Sequence, residues 1–283
     1  MKKSKKVAIT VSVMLIVLGV CLCIVSCMVM DFDFESMNTV NYTTETYFVN
    51  ETFNSIFVEN SACDVHLIAS EDNTCKVVCT ETDFISHTVN VENGTLKISE
   101  KQSGKKQYFN VSFYNGKTEM LIYLPKSEYD SLYVLCQSGD ADAAKGFTFL
   151  KAEIITESGD IRFLSDVEND LVLETDSGYI QISDINCENA ELKTASGEIS
   201  LTSLTAKDSI KAESDSADIK LDGCDAKTFL IESSSGNVRG TLLSDKIFIT
   251  ETDCGYVSVP KTTSGGVCEI KTDSGDIAIS IEK

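Results

Sequence analysis

Tryptophan is absent, and the 283 residues include only two arginines (Arg162, Arg239), two histidines (His66, His87) and two prolines. Polysaccharide-cleaving β-helix enzymes need clustered aspartates beside arginine, lysine or histidine, and saccharide sites stack sugars on aromatic rings. This chain is short of both ingredients, so the residues predict a non-enzyme with no cofactor. Basic residues are also few: 24 Lys and Arg against 44 Asp and Glu, a formal charge of −20. Four lysines (Lys2, Lys3, Lys5, Lys6) fall in the first thirty residues, so the remainder carries 20 basic and 44 acidic residues, a net −24. Such a surface repels nucleic acid and anionic headgroups, and attracts divalent cations or a basic partner. Disorder is excluded too, because 42% apolar residues suffice for a core.

One apolar run does stand out. Residues 7–30 carry no charge, which is long enough to cross a bilayer. Residues 1–6 form a basic tail held in the cytoplasm by the positive-inside rule, and the acids Asp31, Asp33 and Glu35 follow on the other side. The expected topology is a single-pass cell-membrane protein, with residues 31–50 as a spacer and 51–283 as an extracytoplasmic domain. Ile24-Val25-Ser26-Cys27 also resembles a lipobox, which makes Cys27 a candidate lipidation site, although Met28-Val29-Met30 extends the apolar run past it. A cleaved signal peptide is the third fate; no A-x-A site supports it.

Eleven cysteines are present, eight of them beyond the apolar run. Their spacing is not that of a disulfide framework, so mostly free, buried thiols are expected. Cys63, His66, Cys75 and Cys79 superficially offer zinc ligands. Residues three apart on a strand diverge, however, and neither cysteine pair has structural zinc-finger spacing.

The most informative feature is a repeat. Thr156-Glu157-Ser158-Gly159-Asp160-Ile161 recurs as Thr175-Asp176-Ser177-Gly178-Tyr179-Ile180 and Thr194-Ala195-Ser196-Gly197-Glu198-Ile199, and onward to Thr272-Asp273-Ser274-Gly275-Asp276-Ile277. Equivalent positions step by 19 or 20 residues from Gly139 to Gly275. Alternating apolar residues flank each copy, so each is a strand, a Ser-Gly bend, a second strand and a polar return corner. Stacked in parallel, such rungs bury inward columns: Leu173, Leu192, Ala212, Ile231, Thr250, Ile270; and Ile161, Ile180, Ile199, Ile219, Val238, Val257, Ile277. A hydroxyl column (Thr156 to Thr272) is placed to hydrogen-bond and fix the register. The fold class is therefore all-β, a parallel β-solenoid, with residues 131–283 as regular rungs. The serines and Cys254 of the bend are expected in one column in chain order.

Outward, the acids also stack. Asp160, Glu198, Asp218 and Asp276 form one column and are the candidate cation ligands, since calcium takes six to eight oxygens. The repeat lacks the glycine-dense nonapeptide of calcium solenoids, so simple hydrated carboxylates are the favoured reading. Ser264-Gly265-Gly266 has no following helix to bind phosphate. Residues 51–130 read as an irregular cap. In it, residues 57–67 form a degenerate first rung with Cys63 in the glycine place, a hairpin turns at Asn93-Gly94, and Pro125 ends a strand.

A hairpin at Asn-Gly, a strand ending Leu124-Pro125 and serial Ser-Gly-Asp-Ile rungs resemble the bacterial adhesin-like, or toastrack, domain of unknown function, which includes LiaG-like proteins of cell-envelope stress operons. The resemblance implies a membrane-tethered extracytoplasmic β-solenoid and supplies no catalytic motif. The functional expectation is a sensing, scaffolding or adhesion module of the cell envelope, partnered by the membrane and by envelope or signalling proteins. The alternative is a polysaccharide-binding or polysaccharide-cleaving surface protein.

Overall fold

The computed structural model describes residues 2–29, 40–102 and 118–282. Residues 2–29 form a helix, the only one among the described residues. Its stretch Thr10–Val29 is long and apolar enough to cross a membrane. The β unit is a second body and is described by itself.

Every rung offers two strands to two parallel ladders. On the first, Ser55–Asn60 lies between Thr95–Gln102 and Glu128–Cys136. The ladder continues through Thr148–Thr156, Asp166–Thr175, and the last residues of Ile180–Thr194 and Ile199–Ser214 to Thr228–Ser233. The second ladder runs from Glu119–Leu124 through Asp64–Ala69, Ala141–Ala143 and Ile161–Phe163 to Val238–Leu242. The β unit is all-β and solenoid-like. The inward columns form its core: Ile161, Ile180, Ile199, Ile219, Val238 and Ile277 are at most 1% exposed, but Val257, expected in the same column, is 45% exposed because its strand ends the ladder and nothing among the described residues stacks over it.

The stack departs from chain order at both ends. Thr228–Ser233 pairs with Gly266–Thr272, and only that strand pairs with Lys246–Thr252. The rung written last in the chain is thus inserted one place inside the rung before it, and Cys254 ends the bend column instead of lying between Ser235 and Ser274. Gly265 and Gly266 make the crossing possible. A Cβ on Gly265 would lie 1.8 Å from the Asp245 carbonyl oxygen, and one on Gly266 1.9 Å from that of Lys227. At the other end, the expected first rung is second, because Thr95–Gln102 and Glu119–Leu124 stack outside it. The hairpin between Ile85–Glu92 and Thr95–Gln102 turns at Asn93 (φ 52°) and Gly94 (φ 76°), the left-handed pair that an Asn-Gly turn supplies.

The spacer reading of residues 31–50 needs correction where it is described. Tyr42–Val49 is a strand, paired antiparallel with Cys75–Thr82, which in turn pairs antiparallel with Glu119–Leu124. Residues 30–39 lie outside the described residues. Alternation in the Tyr42–Val49 strand is weak because only Tyr47 and Val49 pack on the core.

The capping strands enclose a buried polar cluster. Glu81 Oε1 accepts from the Tyr47 hydroxyl at 2.7 Å and from the His87 backbone N–H at 2.7 Å. The His87 ring is fully buried, with Nδ1 3.4 Å from the same oxygen and no hydrogen-bonded partner on either nitrogen. Burial and the Glu81 carboxylate push the Tyr47 phenol up. Removing the carboxylate with Glu81→Ala orphans two donors at once, so a loss of about 2–3 kcal/mol is expected. Urea denaturation checks this; a loss under about 0.5 kcal/mol would mean that the cap is not held by Glu81.

Candidate functional site

The repeated Thr-x-Ser-Gly-Asp phrase is the natural place to look for chemistry, and its geometry is that of a latch between rungs. The Thr175 hydroxyl donates to the Gly159 carbonyl of the preceding rung (3.0 Å) and accepts from the Gly178 N–H of its own bend (3.0 Å). Thr194 repeats this with Gly178 and Gly197, and Thr272 and Thr252 donate to Gly236 and Gly275 along the inserted order. Glycine is required because the carbonyl of the neighbouring bend occupies the Cβ position: 1.9 Å away at Gly159, 1.8 Å at Gly178 and 1.6 Å at Gly197.

The acid column completes the latch. Each carboxylate accepts the backbone N–H of the equivalent residue one rung on: Asp64 from Asp140, Asp140 from Asp160, Asp160 from Tyr179, and Asp276 from Tyr256, at 2.8–3.0 Å. Asp218 accepts from both Asn237 N–H groups, and the Asn237 side-chain oxygen accepts from the Asp276 N–H. Burial alone would raise the Asp218 carboxyl, but those donors hold it below its ordinary value. Glu198 instead pairs with Lys220 at 2.7 Å. Of the four candidate cation ligands, Asp160, Asp218 and Asp276 thus engage in holding the backbone. Among the described residues no group of three or more His, Cys, Asp or Glu is arranged to hold a metal ion. Sequence reasoning found this column but not its use; the signal was that Asn237 stands among the acids, and Asn accepts as well as Asp.

Cys63, Cys75 and Cys79 are buried thiols, while His66 leans away onto Asp142 at 2.9 Å, which raises its imidazole. The four do not converge. Cys63 does stand in the glycine place, its carbonyl 2.0 Å from a Cβ built on Gly139. Cys27 lies inside the helix Lys2–Val29.

A cleft of about 550 Å³ opens beside the cap. Its floor is Phe53 and Tyr129, stacked at 6.0 Å, and its rim carries Phe48, 71% exposed. Asp72 lies on the same rim, where the Ser70 hydroxyl and the Thr74 hydroxyl and N–H push its carboxyl down to about 2. Neither histidine lines it. An aromatic floor ringed by hydrogen-bonding and charged groups, among them Glu51, Asp72 and Lys76, can hold a polar ligand.

A candidate adhesin from Bacteroides fragilis is 16% identical over 85% of this chain and 97% of its own, with a TM-score of 0.45. A candidate lipid-binding protein from Parabacteroides distasonis is 15% identical over 84% and 97%, with a TM-score of 0.47. No curated protein matches the chain. The model of the family described as Toastrack DUF4097 matches residues 53–214 and 169–283, nearly the whole β unit with its latched bends, and the chain belongs to that family.

Proposed function

We propose that this chain is a non-catalytic, membrane-tethered module that presents its β-stack outside the cytoplasm as an adhesion or scaffolding surface of the cell envelope. One observation carries the reading. The polar groups repeated along the stack, which in an enzyme would be free to act on a substrate, are engaged rung by rung in holding the backbone. What faces outward beyond them is a strongly acidic surface, suited to contacts with cationic partners. The lysine tail and the apolar helix supply the tether and its orientation.

Protease applied to intact cells tests this. Digestion of the β-stack, with the chain retained in carbonate-washed membranes, is the expected result. Protection from protease would overturn the orientation, and release into the medium would overturn the tether. Cys27→Ser separates the two tethers: an unprocessed transmembrane helix keeps its membrane fraction, whereas a lipoprotein loses its acyl-dependent mobility.

The cleft under Phe48 favours a second reading, saccharide binding by the same surface module. Phe48→Ala should then reduce retention on immobilised envelope polysaccharide at least about tenfold, as loss of a stacking anchor does. Unchanged retention, or none in either protein, removes this second reading.

A further inference from the structure

Neighbouring bends of the stack are joined by main-chain bonds. The Ser138 N–H donates to the Ser61 carbonyl, and the Ser158 N–H to the Gln137 carbonyl. At Ser61 this series meets the cap, and a side chain takes over. Glu100 Oε2 accepts from the Ser61 N–H at 2.9 Å and from its hydroxyl at 2.6 Å. A carboxylate therefore stands where the carbonyl of a further bend would. It brings a charge, and a second oxygen that makes no hydrogen bond among the described residues. Glu100 lines a pocket of about 360 Å³ with Glu59, Asn60, Ser61, Leu135 and Gln137. No lysine, arginine or histidine lines it, and among the described residues neither carboxylate forms an ion pair. Asn60 is only 4% exposed. Its Nδ2 donates to the Cys63 carbonyl at 2.7 Å, and its Oδ1 is a buried acceptor without a hydrogen-bonded partner. Such an atom costs free energy until a donor reaches it.

We infer that this pocket binds the primary ammonium group of an aliphatic amine, as carried by a lysine side chain or by a free diamine. The inference rests on the reading of the acidic surface as one that meets cationic partners, and it names the head group taken at one place on that surface. What the pocket lacks is donors. Two carboxylates and an unpartnered amide oxygen call for a cation that donates several hydrogen bonds, and an ammonium brings one charge and three N–H donors. Leu135 gives its methylene stem an apolar wall. Ser61 already holds Glu100 in place, so the ligand does not have to order that side chain. Because Glu100 has one oxygen left, it suits a point charge better than the two-pronged guanidinium. Calcium fits less well, since it takes six to eight oxygens and only two carboxylates line the pocket.

The probe is cadaverine (1,5-diaminopentane), titrated against the full chain in detergent micelles at physiological salt and followed by the broadening of its methylene NMR signals. Wild type should bind it saturably. Glu59→Gln should weaken binding about tenfold, the loss of one charge-assisted contact. Glu59 is exposed and makes no side-chain bond among the described residues, so this variant keeps the fold. Asp253→Asn removes an exposed acid at the far end of the stack and should bind as wild type does. Butyltrimethylammonium, with the charge but no N–H, should bind at least about tenfold more weakly. Two further outcomes support the inference and separate the sources: Nα-acetyl-lysine methylamide binding as tightly as cadaverine points to a partner's lysine, and a preference for cadaverine to a free diamine. Equal weakening by Glu59→Gln and Asp253→Asn, or equal binding of the quaternary amine, would mean diffuse attraction; either overturns the pocket and leaves the cationic-partner reading in place. Displacement of cadaverine by calcium, but not by sodium at matched ionic strength, would make this a metal site and overturn the inference. Absence of saturable binding to wild type overturns it as well, without touching the protease result on which the tethered module rests.

Discussion

Gly178→Ala should destabilise the β-stack by about 3 kcal/mol, the upper range for forcing a methyl into filled space. The added Cβ would lie 1.8 Å from the Gly159 carbonyl oxygen and 2.5 Å from its carbon. Both atoms are backbone of the adjacent rung, so no side chain can rotate away; the rungs must separate. Separation then breaks the latch, because the Thr175 hydroxyl bonds that same Gly159 carbonyl. The chain contains its own control in Ala217, which occupies the glycine place one rung beyond Gly197. There the Ser214 hydroxyl still accepts from the Ala217 N–H, but among the described hydrogen bonds it makes none to Gly197. One rung has thus accommodated a methyl by giving up its latch. Ala217→Gly should accordingly change stability by less than about 1 kcal/mol, since the regained bond is offset by the chain entropy that glycine adds. Urea midpoints of the chain without its helix measure both. If Gly178→Ala unfolds with the wild-type midpoint, the close stacking of the bends is not what holds the rungs.

Much of this architecture could be read before any coordinates. Columns such as Ile161–Ile180–Ile199 came directly from a period of 19 or 20, because parallel stacking makes equal positions adjacent. The hairpin at Asn93-Gly94 and the stop at Pro125 were legible for local steric reasons. The inserted rung was not legible, and the reason is physical. Every rung offers the same columns, so any rung fits beside any other, and the step of 20 from Gly255 to Gly275 lies within the 19 or 20 of its predecessors. The choice is made by burial. Gly266–Thr272 brings Cys268 and Ile270, both fully buried, whereas Lys246–Thr252 brings Thr250, half-exposed at the end of the same column. Terminal repeats are usually the atypical ones, and this rung has Cys254 for serine and Tyr256 for aspartate. The use of the acid column escaped for another reason. Alternation shows that Asp160 and Asp276 face outward, but not that a short carboxylate reaches the next rung's N–H. Glu81 escaped because an acid two residues beyond a buried cysteine looks like any other inward mismatch until Tyr47 closes over it.

Alkali should unfold the β-stack between pH 9 and 10, and cysteine is the reason. Seven thiols are buried: Cys63, Cys75, Cys79, Cys136, Cys187, Cys224 and Cys268. Burial pushes them from an ordinary 9.0 up to about 11 at Cys63 and Cys224 and about 12 at the other five. A group whose folded value is raised contributes its stability in full below the unfolded value and loses it as pH climbs toward the folded one. Below pH 9 both states keep the protons, and stability is flat in this respect. Between pH 9 and about 11–12 the unfolded chain sheds protons that the folded chain retains, so unfolding is favoured. At pH 10 each thiol removes about 1.4 kcal/mol, and seven together remove, as an upper bound, about 10 kcal/mol, comparable with the whole stability of a domain. The Tyr47 and Tyr129 phenols, also raised by burial, act in the same direction at higher pH. The urea midpoint of the chain without its helix should therefore hold steady from pH 7 to 8.5 and fall steeply from 9 to 10. Cys136→Ala with Cys268→Ala should make that fall shallower, although each deletion lowers the midpoint at pH 7. Iodoacetamide at pH 8 should modify only Cys254, which is exposed, until urea opens the stack. A midpoint that stays level through pH 10, or rapid alkylation of the other seven in the folded protein, would mean that these thiols are not sealed in the core.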